Sequence, residues 1–73
     1  MLIVKIVREV PSNLTAVEVE LWRLLVSGES QHGIGEALRL GESDTLAVQE
    51  SLMGKLGIDR KIDLVREGIY AGL

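Results

Sequence analysis

Four consecutive residues, Thr15-Ala16-Val17-Glu18, fix the start of a helix more tightly than any other stretch of this chain. They fit the capping box, in which the Thr15 hydroxyl accepts from the Glu18 amide and the Glu18 side chain reaches back to the Thr15 amide. Leu14 before the cap and Val19 in the first turn are spaced for the hydrophobic staple. Val17, Leu21, Leu24 and Leu25 then share one helical face, and Gly28 suits the left-handed residue that closes a helix. The spacing predicts a first helix near 15–27. Trp22, at the edge of the inner face, reads as a core or interface filler rather than a stacking platform for bases.

The same punctuation recurs downstream. Ser30 caps a second helix, 30–39, with Ile34, Ala37 and Leu38 inward. Gly33 and Gly35 each cost about 1 kcal/mol relative to Ala there, and they also permit close approach of another helix. The turn Leu40-Gly41-Glu42 leads to Ser43, the expected cap of a third helix, 43–56. On it Thr45, Val48, Gln49, Leu52 and Leu56 face inward, Leu46 and Met53 lie on the flank, and Asp44, Ala47, Ser51, Gly54 and Lys55 point outward. Gly57 ends that helix, and Asp59 is placed to cap a fourth, 60–70, with Ile62, Val65 and Ile69 inward. Residues 2–10 are rich in Ile and Val and stop at Pro11, Ser12 and Asn13, which predicts an extended segment or short strand. A lone strand needs a partner. It either pairs with its copy in a second chain or lies as an arm across the helices. The expectation is an all-α, four-helix domain over 14–73 behind an extended arm or strand over 1–13.

Seventy-three residues support one small domain of marginal stability, a setting in which oligomerisation is a common remedy. The hydrophobic fraction of 47% exceeds what one small core easily hides, so an exposed apolar patch is expected. Eight Lys and Arg against eleven Asp and Glu give a net charge of −3, which disfavours binding to a polyanion. The chain has no Cys, and its one His, His32, makes a metal site improbable; no cofactor is expected. Ser, Asp, Glu and His32 show no spacing that assembles a nucleophile, base and orienter, so an enzyme is not expected. The opening MLIVKIV is too short, and too interrupted by Lys5, for a signal-peptide core, and no run approaches the roughly 20 apolar residues of a membrane span. A cytoplasmic protein without a membrane partner is the expectation.

The stretches LTAVEVELWRLLVSG, IGEAL, LMGKLG and IDLVREGIYAGL resemble, without a gap from Leu14 to Leu73, the LuxR/GerE-type helix-turn-helix of NarL- and FixJ-like regulators. Leu14, Thr15 and Glu18 match the family's opening, and Lys55, Leu56 and Gly57 match its later Lys-Leu-Gly. The resemblance implies a four-helix fold whose third helix is the recognition helix and whose fourth is a dimerisation element. The family's DNA contacts are another matter. Gly41 stands where the family places a turn hydroxyl. Asp44 replaces a Thr, Thr45 a Val, Leu46 a Lys and Val48 a His, and Gln49 holds an often basic position. Such a helix offers no bidentate donor for guanine, and Asp44 would meet phosphate with like charge.

Two functions compete. The favoured one is a transcription-associated regulator with a degenerate recognition helix that acts by protein contact, as a homodimer or bound to another regulator or RNA polymerase. Leu46, Met53, Ile62, Val65, Ile69 and Tyr70 are its candidate contact residues. The alternative is direct DNA binding as a LuxR/GerE-type regulator, through Arg39, Lys55, Arg60 and Lys61, with Arg23 as a further cation. DNA binding is expected to be weak or absent.

Overall fold

The computed structural model describes residues 10–73; the segment expected to be extended, 2–10, falls almost wholly outside them. The described residues form four helices: α1 (Ala16–Val26), α2 (Gln31–Leu38), α3 (Glu42–Leu56) and α4 (Lys61–Tyr70). No described segment is a strand, and no described helix is long and apolar enough to cross a membrane. Packing centres on α1, which lies against α2, α3 and α4, while α2 and α3 also pack on each other. The core is Leu21, Trp22 and Leu25 of α1, Ile34 of α2, Leu52 of α3 and Leu64 of α4.

Local chemistry explains most helix ends. The Thr15 amide donates to Glu18 Oε1 at 2.7 Å and the Glu18 amide donates to Thr15 Oγ1 at 3.2 Å, completing the capping box. At the other end of α1, Gly28 takes φ +90°, and the Gly28 and Glu29 amides donate to the Leu25 and Leu24 carbonyls. That pairing is the Schellman closure, which satisfies carbonyls the helix leaves open. Ser30 caps α2 through a 3.0 Å bond from the Gly33 amide. Gly57, at φ +70°, closes α3.

Several expectations fail. α3 starts earlier than Ser43 suggests, with Gly41 at the N-cap and no side-chain cap bond. The α2–α3 turn fixes that start: Thr45 is fully buried and donates its hydroxyl to the Gly41 carbonyl at 2.8 Å, beside Gly35. A Cβ on Gly35 would come within 3.2 Å of Thr45 Oγ1 and 3.1 Å of the Leu40 carbonyl, so Gly35 is what lets α3 approach. α2 ends at Leu38, and Arg39 takes the left-handed conformation (φ 57°). α4 begins from Arg60 rather than an Asp59 cap. Val17 and Ala37, expected inward, are exposed.

The largest correction concerns α4. Its inward line is Leu64 and Gly68, with Val65 half-buried, while Ile62 is 71% and Ile69 60% exposed. Trp22 sets this rotation. Its indole N–H donates to the Leu64 carbonyl at 2.8 Å, and a Cβ at position 68 would collide with Val26 and the indole. The indole can sit this close to α4 only where α4 presents a glycine, and that choice turns the isoleucines outward.

Candidate interaction surfaces

Glu18 is 3% exposed and joins α1 to α3. Its Oε1 accepts from Lys55 Nζ at 2.7 Å as well as from the Thr15 amide, and its Oε2 accepts from the Ser51 hydroxyl at 2.7 Å. Lys55 Nζ also donates to the Asn13 carbonyl at 3.2 Å. The Lys55 ammonium, then the Thr15 amide and finally the Ser51 and Thr15 hydroxyls pull the Glu18 carboxyl down from 4.5 to about 2, against the opposing effect of burial. Ser51 and Lys55 stand on the exposed side of α3, as their helical phase suggests, yet both bond back to Glu18 of α1. No local signal reveals this, because Lys55 lies 37 residues from Glu18 and Ser51 lies 33.

Of the four cations expected to meet DNA, Lys55 and Arg60 are engaged in ion pairs. Lys55 is held by Glu18, and Arg60 bonds Asp63 at 2.9 Å. Asp63 also takes Arg66 at 2.6 Å, and Arg23 pairs with Glu20 at 3.6 Å. Arg39 in the α2–α3 turn and Lys61 at the start of α4 are exposed and carry no ion pair among the described residues.

The six apolar candidates fall on two helices. On α3, Leu46 is 42% exposed and Met53 is half-buried against the core, where its sulfur accepts from the Gln49 amide group at 3.9 Å. On α4, Ile62, Ile69 and Tyr70 are exposed and Val65 packs partly on the core. A groove of about 760 Å³, not anticipated from sequence, runs along α2 to the start of α3. Its walls include Gly35, Glu36, Arg39, Leu40 and Glu42, and Glu36 is bonded to His32 at 2.9 Å. Among the described residues no group of three or more His, Cys, Asp or Glu is placed to hold a metal. Comparison of the chain with protein-family models, with curated proteins and with solved structures found no match in any of the three.

Proposed function

We propose that this chain is a small transcription-associated regulator with a LuxR/GerE-type helix-turn-helix fold that acts through protein contact, by dimerisation or by binding another regulator or RNA polymerase. One observation carries the reading: α3, the helix that would enter the major groove, has no free cation. Its only basic residue, Lys55, is spent on Glu18, while Glu42, Asp44 and Glu50 are exposed. Phosphate neutralisation supplies most non-specific affinity, and this helix has nothing to supply it. The three-residue link between α2 and α3, 39–41, agrees with a helix-turn-helix connection. The apolar stripe of Ile62, Val65 and Ile69, with Tyr70, supplies a surface for a second copy through α4.

Direct DNA binding remains the second reading because Arg39 and Lys61 are exposed cations without ion pairs among the described residues. Fluorescence anisotropy with random-sequence duplex, over a series of salt concentrations, separates the two. The expected result is weak affinity with a shallow salt slope. Submicromolar binding at physiological salt, lost on Arg39→Ala, Arg60→Ala or Lys61→Ala, overturns the protein-contact reading.

A further inference from the structure

Resting on that reading, the outer side of α3 has a chemistry that specifies its partner. Glu42, Leu46 and Glu50 recur at four-residue spacing and so stack along one line of the helix, with Ala47 beside them and Met53 a turn further on. Nothing lies within 4 Å of a Cβ added at Gly54, so the surface there is low and open. Glu42, Asp44 and Glu50, like Glu29 and Asp59, carry no ion pair among the described residues, whereas Glu18, Glu20 and Glu36 each have one and Asp63 has two. The helix dipole favours acidic residues in a first turn, which accounts for Glu42 and Asp44; Glu50 lies beyond its reach. The result is an exposed Leu46, with the half-buried Met53 at its edge, between Glu42 and Glu50, which form no ion pair among the described residues. Glu42 also opens onto the groove beside α2, whose walls carry Glu36, Glu42, His32 and a single guanidinium, Arg39.

We propose that this side of α3 docks a basic amphipathic helix of a partner protein, with Leu or Met along its contact line and Lys or Arg on both flanks. Charge complementarity selects that occupant. A nucleic acid on this line would set phosphate against Glu42 and Glu50. A second copy docked through α3 about a two-fold axis would set the same carboxylates against each other, since such an interface matches a patch with itself. The flanking cations of a basic helix meet the carboxylates, and its apolar line covers Leu46 and Met53. Met53, unbranched and adaptable, suits such a contact. The α3 line and the α4 stripe thus serve different partners.

The test titrates the full chain, labelled with ¹⁵N, with two synthetic peptides of one composition. The first places Leu at helical spacing among Lys and Arg; the second is scrambled. Amide shifts are expected to concentrate at Leu46, Ala47, Glu50, Met53 and Gly54, with the scrambled peptide binding roughly tenfold more weakly. Glu50→Lys is expected to weaken the ordered peptide roughly two- to fivefold, and Leu46→Asp roughly tenfold. Both positions are exposed, and unchanged thermal melts of the variants establish that they fold. Shifts scattered over Glu29, Asp59 and α4, or equal binding of the two peptides, overturn the proposal. A duplex-DNA titration of the same sample keeps the readings apart. DNA bound through α3 overturns the proposed function itself, whereas absence of both DNA binding and peptide preference overturns only this inference.

Discussion

α1 is held on two sides by seams of opposite character. Toward α3 the contact is polar: one buried carboxylate is bonded by Lys55, Ser51 and the Thr15 amide. Toward α4 the contact is steric: Trp22 lies where Gly68 leaves room, with one hydrogen bond from the indole to the Leu64 carbonyl. The polar seam fails when a partner of Glu18 is removed, because the carboxylate left behind is buried and charged. The steric seam fails when volume changes in either direction.

The sharpest way to break the comparison is at the steric seam. Trp22→Ala removes a large, 2%-exposed side chain and is expected to cost about 3–5 kcal/mol, enough to unfold a domain of this size. Chemical denaturation measures it; a loss under about 1 kcal/mol would mean α4 does not depend on the indole. Trp22→Phe keeps most of the volume and leaves the Leu64 carbonyl short of its donor, at a cost of about 1–3 kcal/mol.

The polar seam is next in size. Glu18→Ala is expected to cost about 2–3 kcal/mol, less than for a fully enclosed pair because Lys55 still reaches solvent. Its pH signature is more specific. The folded carboxyl is lowered from 4.5 to about 2, so its stabilisation is complete above 4.5 and disappears as pH falls toward 2. Glu18→Gln should flatten that acid limb of the stability curve. If the wild-type and Glu18→Gln curves run parallel from pH 5 to about 2, the seam is not held by charge.

These two seams also mark where sequence was sufficient and where it was not. The capping box, Gly28, Ser30 and Gly57 were legible because each acts within three or four residues of itself. The α3 inner face was legible too, since Thr45 and Leu52 are buried at helical spacing. On α4 the same reasoning chose Ile62 and Ile69, because hydropathy ranks them above the pair Leu64 and Gly68. What decided the rotation was shape, a missing Cβ beneath an indole contributed from 46 positions earlier in the chain. Lys55 is exposed as its helical phase predicts, but its bond to Glu18 was not legible, because that partner lies 37 residues away. Leu46, Ile62 and Ile69 of the candidate contacts are exposed, and of the candidate cations Arg60 meets Asp63 three residues away whereas Lys55 meets Glu18 from a distant helix.

A smaller effect comes from the turn that sets α3 against α2. Arg39 adopts the left-handed conformation at φ 57°, which a residue with a Cβ holds at a cost. Arg39→Gly should relieve this and stabilise the fold by about 0.5–1 kcal/mol, in contrast to every substitution at the two seams. A raised denaturation midpoint with an unchanged slope is the expected reading. A lowered midpoint would show that the Arg39 side chain contributes more to the groove wall than its backbone strain costs.

The smallest effect on folding, and the one that sharpens the contrast between the two faces of α4, is expected for the pair Ile62→Ser and Ile69→Ser. Both side chains lie mostly in solvent, so the double variant should keep the monomer's stability to within about 0.5 kcal/mol. Its effect should appear in association instead. A two-fold contact brings each stripe onto its copy, so two substitutions per chain remove four apolar side chains from the interface. Sedimentation equilibrium at tens of micromolar should then show the wild type above the 8.0 kDa monomer mass and the double variant at it. If the wild type already sediments at the monomer mass, α4 is not a dimerisation surface. If the variant instead loses folding stability, the outward isoleucines belong to the steric seam after all, and the division of α4 into a packed face and a free face is wrong.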